Sequence, residues 1–496
     1  MEKLNKVFRT AQLAAIDKYT IEHEPVSSLD LMERAAGIWT DRFLKIFTEV
    51  AGVVVIAGNG NNGGDGYAIA RLLNRRGVPV RVFRIAGTQD RSPDCEANYR
   101  RWLTRGKVEE LKQADDLVLQ KGEIVIDAIF GSGLNRPVTG LAARIIKQMN
   151  ASANRVVAVD IPSGLAGEDN TWNDPETIVC AEYTFTFQFP KLAFMLAENE
   201  KYVGRWEVLD IGLHPDWFYT TEDTVKAILP PSPVFAHKGT NGKGLLIAGS
   251  YGMMGAAVLG AKAAVRSGIG LLYCHIPGKG IEVIQTTVPE AIPDPDESAE
   301  RFSAVCKLRD YDAIAVGPAI GQGPETVGGL EKLLRTWRGT TILDADALNI
   351  IAEHRELLDL LHEGCILTPH MKEFERLAGK SVNDFERLNK LSIFANQYRV
   401  HIVLKGAHSV IATPDRRLFF NMSGNPGMAK GGAGDVLTGV LLALAANKLN
   451  LLDLLRIGVF AHGLAGDCVA EKEGRRGCCA GMIAERMGEA WKRLEK

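Results

Sequence analysis

The stretch VVVIAGNGNNGGDGYAIARLLNRRG, residues 53–77, carries the reading of the fold. Its opening, VVVIAG (53–58), is a short apolar run rich in β-branched residues, which predicts a buried strand. The glycines after it predict a tight turn, and YAIARLLNRRG (67–77) predicts an amphipathic helix. An apolar strand feeding a helix through a Gly-rich turn is the first unit of a parallel sheet covered on both faces. Working outward, VPVRVFRI (78–85), EIVIDAIF (123–130), RVVAVDI (155–161), YTFTFQF (183–189) and RWEVLDI (205–211) read as further strands. LAARIIKQMN (141–150) is a helix between two of them, and Ser27 with Asp30 predicts a capping box ahead of LMERAAGIWTDRFLKIF (31–47).

The alternation breaks at 212–244, where Pro215, Pro230, Pro231 and Pro233 interrupt any periodicity, and then restarts. GLLIAGS (244–250), GLLYCHI (270–276), AIAVG (313–317), TTILDAD (340–346), GCILTP (364–369) and VHIVLKG (400–406) read as strands. Helices are expected at 256–268, 325–337 and 385–399, and predominantly helical chain from Asp435 onward. The expectation is α/β in two domains, 1–211 and 236–496, joined by a linker at 212–235.

Lys plus Arg is 58 against 60 for Asp plus Glu in 496 residues, a net charge of −2. That balance gives no electrostatic warrant for nucleic acid or an anionic membrane as partner. The longest apolar candidate, VLLALAA (440–446), is far short of the about 18 residues a membrane span needs. The eight cysteines are scattered without a C-x-x-C pair, which fits reduced thiols and a soluble cytoplasmic chain.

Three polar loops should meet at the carboxyl edge of the first sheet, where ligands gather in parallel α/β folds. Gly58-x-Gly60-x-x-Gly63 formally matches a dinucleotide fingerprint. However, Asp65 would repel a pyrophosphate at the helix start, and Arg84 stands where an acid should meet a ribose. The block NNGGD, with Asp127 and Asp160 ending two other strands, points to a polar site of another kind. Asn62, Asp127 and Ser163 are hard oxygen donors suited to an alkali or alkaline-earth cation. Each acid alone is more simply a helix cap; three on one edge favour a site.

In the second domain NPGMAKGGAGDVLTG (425–439) places four small residues, 431–434, before Asp435 and an amphipathic helix. Bare backbone N–H groups at a helix start make an anion hole that can hold a transferring phosphoryl group, and Asp435 can accept a proton there. LTPHMKEFERL (367–377) offers His370 and Glu373 at a strand end, and KGAHS (405–409) offers Lys405 with small residues. Either could be an ordinary exposed turn. GTNGKG (239–244) lacks the G-K-[ST] ending of a phosphate loop and precedes a strand, so it is set aside.

GNGNNGGDG, DAIFGSGLNRP and VDIPSG resemble the NAD(P)HX epimerase (YjeF N-terminal) domain. GPAIG, LDADALN, LTPHMKE, KGAHS and NPGMAKGGAGDVLTG resemble the ribokinase-like NAD(P)HX dehydratase. The resemblance implies a Rossmann-like parallel-sheet domain followed by a ribokinase-like one. It implies potassium on Asn62, Asp127 and Ser163, and an epimerase substrate held by Asn61, Asn62, Gly63, Gly64, Asp65 and Asp160. Gly131, Ser132, Gly133, Leu134, Asn135, Arg136 and Pro137 would bound that pocket, with Asp160 shuttling the proton. In the dehydratase, Asp435 would be the base, with Ala257, Gly321 and His370 lining the hydrated-cofactor pocket. Lys405, Gly406, Ala407, His408, Ser409 and Gly434 would hold the nucleotide. The implied partners are hydrated NADH or NADPH, ADP as phosphoryl donor and Mg2+ with it, in a homo-oligomer. A small-molecule kinase of the ribokinase superfamily, and a non-catalytic scaffold for the first half, are the alternatives.

Overall fold

The computed structural model describes residues 7–8, 10–24, 26–87, 90–213, 225, 228–230, 235–305, 308 and 310–495. One compact unit comprises 6–219 with 383–385, the other 1–5, 220–382 and 386–496. Most of the expected linker lies outside the described residues.

The first unit runs α1 (Thr10–His23), α2 (Ser28–Ile46), β1 (Val53–Ala57), α3 (Asn61–Arg75), β2 (Val80–Ile85), α4 (Pro93–Leu103) and β3 (Val108–Leu111). It continues with β4 (Ile124–Ala128), α5 (Gly140–Ala151), β5 (Arg155–Val159), β6 (Tyr183–Phe187), α6 (Glu200–Val203) and β7 (Arg205–Leu209). The seven strands form one sheet in the order β3-β2-β1-β4-β5-β6-β7, and every pairing is parallel. β1 explains why: Val53, Val55 and Ala57 bury against Trp39, Phe43, Tyr67 and Leu73, while Val54 and Ile56 bury against Ile145, Ile146 and Met149. Both faces are covered, so the strand must be apolar at every position.

Two features depart from expectation. Strand β3, VEEL, presents Glu109 and Glu110 to solvent at the sheet edge, so it carries no apolar run to announce it. The block NNGGD is not turn but the start of α3. A Cβ on Gly63 would sit 2.1 Å from Gly58 O, so the first turn of this helix lies directly on the turn that follows β1. Close approach, more than turn flexibility, accounts for this glycine.

The second unit runs β8 (Lys243–Ile247), α7 (Met254–Arg266), β9 (Leu271–Ile276), α8 (Ile281–Thr287), β10 (Ile292–Pro295), β11 (Ala313–Val316), α9 (Pro324–Thr336) and β12 (Thr340–Leu343). Then follow α10 (Asp346–Glu353), β13 (Cys365–Leu367), α11 (Met371–Ala378), α12 (Asp384–Gln397), β14 (His401–Leu404), β15 (Val410–Ala412) and β16 (Leu418–Phe420). The chain closes with α13 (Ala433–Ala446), α14 (Leu451–Gly477) and α15 (Ala480–Leu494). Its sheet order is β10-β9-β8-β11-β12-β13-β14-β15-β16, parallel until β15 and β16 add an antiparallel hairpin. β10 reads IPDP, whose prolines look like a breaker, yet at a sheet edge they cost no ladder bond.

Helix α13 corrects a further expectation. It is not amphipathic: every residue from Val436 to Ala446 is buried. It can pack so closely on α7 because Gly439 and Gly260 meet, and a Cβ on Gly439 would lie 2.0 Å from Gly260 O. The obstacle is backbone, which cannot swing aside as a side chain would. Gly439→Ala should therefore destabilise the second unit by about 1–3 kcal/mol. An unchanged urea midpoint would show that α13 and α7 are not in this contact. Among the described residues, no helix is long and apolar enough to cross a membrane.

Candidate active sites

The order of the first sheet reverses at β1, whose neighbours are β2 and β4, and the crevice beyond such strand ends is where open α/β sheets bind ligands. Asn62, Asp127 and Ser163 do converge there. Asp127, fully buried near the end of β4, accepts from Ser163 Oγ at 2.6 Å, Ser163 N at 2.7 Å and Ile129 N at 3.3 Å. Burial pushes its carboxyl up to about 6, against the opposing pull of the Ser163 bonds. Asn62 Nδ2 donates to Phe130 O at 2.8 Å, and Phe130 N donates to Ser163 Oγ at 2.8 Å. Asn62 Oδ1 is buried with no hydrogen-bond partner. A buried carbonyl without a donor, near a buried carboxylate and a hydroxyl, is an oxygen donor set that could hold a cation. Among the described residues no three His, Cys, Asp or Glu side chains group as a metal site, so a transition-metal centre has no such cluster to use.

Asp160 follows β5 with φ +65, a left-handed backbone that a non-glycine residue adopts only under local constraint. Its Oδ1 accepts from Lys191 Nζ at 2.5 Å, Phe187 N at 3.0 Å and Thr186 Oγ1 at 3.1 Å. Lys191 is only 3% exposed and also donates to Thr186 Oγ1 at 2.8 Å. Sequence reading missed Lys191, and FPKLAF offers no signal for it. Asp65 is half-buried on α3; burial first, then Asp160, Asp17 and Asp94, push its carboxyl well above the usual range. Asn61 lies exposed, accepting from Ser92 Oγ at 2.6 Å. The 131–137 loop leaves β4 toward solvent, with Gly133, Asn135, Arg136 and Pro137 exposed at its rim.

In the second sheet the order reverses at β8, between β9 and β11. The loops at these strand ends are tied together. Gly249 N donates to Pro318 O at 2.8 Å, and Gly321 N donates to Asp346 Oδ2 at 2.9 Å. Asp344, directly after β12 and 1% exposed, accepts from Lys405 Nζ at 2.7 Å and from Thr438 Oγ1 at 2.8 Å. Burial works against the charge on Lys405, but Asp344, Glu373 and Asp435 outweigh it and raise its proton affinity.

Helix α13 enters this cluster with no side chain capping its first turn. Gly432 holds the N-cap at φ +92, and a Cβ there would also strike Leu259 at 2.6 Å and Ala480 at 2.9 Å, so only glycine fits. Gly434 faces Lys405, whose Nζ would lie 3.2 Å from an added Cβ. Asp435, the third residue of the helix, is pushed up to about 6 by burial and by Asp344, with Lys405 pulling the other way.

Other expected residues have more ordinary placements. His370 caps α11: its Nδ1 accepts from Glu373 N at 3.1 Å while Glu373 Oε2 accepts from His370 N at 2.7 Å. Half of the His370 side chain stays exposed. The 405–409 turn opens the β14–β15 hairpin, with Gly406 and Ala407 exposed and His408 and Ser409 half-buried. Ala257 is fully buried on α7, with its Cβ 3.3 Å from where a side chain on Gly249 would start. Asp344, Asp346 and Thr438 were missed, although LDAD at a strand end was the available signal.

Residues 28–193 match the family described as YjeF-related protein N-terminus, and residues 244–488 match NAD(P)H-hydrate dehydratase. The bifunctional NAD(P)H-hydrate repair enzyme of Thermofilum pendens is 34% identical over 99% of this chain and 97% of its own. That of Moorella thermoacetica is 33% identical over 98% and 96%, and that of Escherichia coli 32% over 86% and 82%. An ADP/ATP-dependent NAD(P)H-hydrate dehydratase from Bacillus subtilis, co-crystallised with ATP/Mg2+, superposes with a TM-score of 0.50. It is 33% identical and covers 55% of this chain and 98% of its own. The two units thus define an α/β enzyme in which a Rossmann-like domain precedes a ribokinase-like one. The chain belongs to the family of bifunctional NAD(P)H-hydrate repair enzymes, which join an epimerase to a dehydratase.

Proposed function

We propose that the first unit interconverts the R and S hydrates of NADH and NADPH, and that the second returns the S hydrate to NAD(P)H using ADP. The observation that carries this reading is Asp435 at the uncapped start of α13, facing the Lys405–Asp344 pair. Hydroxide is a poor leaving group, so the hydroxyl must be activated before it can depart. Asp435 accepts the hydroxyl proton as that oxygen attacks the terminal phosphoryl group of ADP, releasing AMP. The amides of 433–435 and Lys405 offset the negative charge that develops. The ring nitrogen then expels phosphate as the C–O bond breaks, and loss of a proton from the neighbouring ring carbon restores the double bond. Gly434 and the 405–409 turn hold the nucleotide, with Mg2+ neutralising its phosphates, and Gly321 and His370 contact the hydrated ring.

In the first unit Asn61, Asn62, Gly63, Gly64, Asp65 and the 131–137 loop take the substrate. Asp160, its charge balanced by Lys191, accepts a hydrogen bond from the hydroxyl. Asn62, Asp127 and Ser163 would hold K+, which supplies a fixed positive charge at the crevice; the unpartnered Asn62 Oδ1 supports this.

A mixture of both NADH hydrates tests the whole reading. With ADP, absorbance at 340 nm should rise until both epimers are consumed, because epimerisation feeds the reactive form. A stable phosphorylated hydrate would instead identify a simple kinase.

A further inference from the structure

Helices α2, α3 and α4 meet over one face of the first sheet. A Cβ on Gly64 of α3 would lie 2.8 Å from Met32 Sδ of α2 and 3.1 Å from Cys95 Cα of α4. Tyr67 and Tyr99 pack edge-on at 5.4 Å, one turn further along α3 and α4. Beyond that seam lies a cavity of about 380 Å³ lined by Glu33, Arg71, Arg75, Arg101, Thr104 and Arg105. Arg71 and Arg75 stand nine and thirteen residues beyond Asn62 on α3, roughly 14–20 Å at 1.5 Å per residue, so this is not the crevice of the cation donors.

The charge of this cavity exceeds what its surroundings balance. Glu33 is its one acid and serves two arginines, accepting from Arg71 Nη2 and, at 2.8 Å, from Arg101 Nη1. Among the described residues, Arg75 and Arg105 form no ion pair. Arg71 Nε is buried with no hydrogen-bond partner. Arg71 and Arg75, four apart on one helix, are like charges that repel each other. The simplest account has these cations complementing the carboxyl-terminal dipoles of α3 and α4, which both end here. Each such end carries only about half a negative charge. Four guanidinium groups against one carboxylate and two helix ends leave a surplus of about two positive charges.

We propose that this cavity binds one dianionic phosphate group, free or carried as the monoester of a small metabolite. At neutral pH such a group brings close to the surplus charge on one tetrahedral centre. Its oxygens accept the paired N–H donors of guanidinium forks, and α3 and α4 bring such forks from two sides. A cavity of this volume is in the range of small-molecule sites and leaves room for a sugar-sized group on the phosphate. A nucleic-acid backbone is a poor match, because the surplus is confined to one cavity in a chain of net charge −2. The site is independent of the epimerase reading, since none of its residues belongs to the crevice at the ends of β1 and β4.

Calorimetric titration of the full chain with inorganic phosphate at pH 7.5 and low salt tests the site. Phosphate can also reach the start of α13, so the signal is the binding event that the double variant Arg75→Gln/Arg105→Gln loses. Both side chains are exposed, so this variant keeps its fold. The wild-type event should have a Kd below about 1 mM and weaken by at least about tenfold in the double variant. Glu33→Gln should act in the opposite direction, tightening phosphate by about fivefold or more, because it removes a nearby negative charge and frees the forks of Arg71 and Arg101. A merely structural role for the arginines would not produce that gain. Ribose 5-phosphate separates the two sources. Binding tighter than that of inorganic phosphate assigns the site to an organic monoester, and equal or weaker binding assigns it to free phosphate. Succinate, a dianion with its charges held apart, should bind more weakly than either. No event lost in the double variant, no tightening in Glu33→Gln, or succinate binding tightest overturns the proposal.

Discussion

Asp435→Asn should lower ADP-dependent dehydration by about 10²–10⁴, the usual weight of general-base catalysis. Asn is nearly isosteric, and Asp435 lies inside the first turn of α13 without capping it, so the fold should survive. The variant removes the group proposed to accept the hydroxyl proton, while the backbone amides at the start of α13 and the Lys405–Asp344 pair stay in place. Given both hydrates, it should still interconvert them while restoring almost no reduced cofactor. The sign of the pH dependence follows from the same group. Burial and Asp344 place Asp435 at about 6, and a base works only when ionised. Wild-type dehydration should therefore fall as pH drops below about 6, approaching tenfold per pH unit, and hold above it. Near-normal dehydration by the variant would remove Asp435 from the mechanism.

Asp127→Asn should abolish both epimerisation and the response of the first unit to potassium. In the folded chain, burial raises this carboxyl to about 6. A carboxyl raised in this way stabilises the fold only while protonated, and that contribution is lost as pH rises from about 3.9 through about 6. At neutral pH the fold thus carries a buried anion, which a bound cation relieves. Potassium at 100 times its dissociation constant would add about 2.7 kcal/mol of stability. The thermal midpoint of the wild-type first unit should rise with potassium, more at pH 7.5 than at pH 5, and that of Asp127→Asn should not. A wild-type midpoint and epimerase rate both indifferent to potassium would refute the site.

Most of the fold was legible because its inner strands are buried on both faces and must be apolar throughout. The strands that escaped, β3, β10, β15 and β16, lie at sheet margins, where exposure or shortness removes that demand. In the sites, residues carried by Gly-rich loops were legible, since glycine blocks mark where backbone approaches backbone. Residues that act by reaching across were not. Lys191 meets Asp160 over 31 positions, and Thr438 meets Asp344 over 94. A lysine in FPKLAF or a threonine in DVLTG looks like any other until the sheet brings its partner alongside. The start of α3 was misread because NNGGD has poor helix propensity, and only the turn beneath it explains why a helix can begin there.

The encasement of α13 makes the chemistry of the second site hostage to its interior. A helix with no free face cannot tilt to suit a substrate, so the backbone amides at its tip, proposed to receive the phosphoryl group, are held as rigidly as the core itself. Damage should travel along the same rod. Trimming Val440 or Leu441, well removed from any ligand, loosens the seat of Gly434 and Asp435. The first symptom of such a lesion on warming would be a chain that still shuffles hydrate epimers but no longer repairs them.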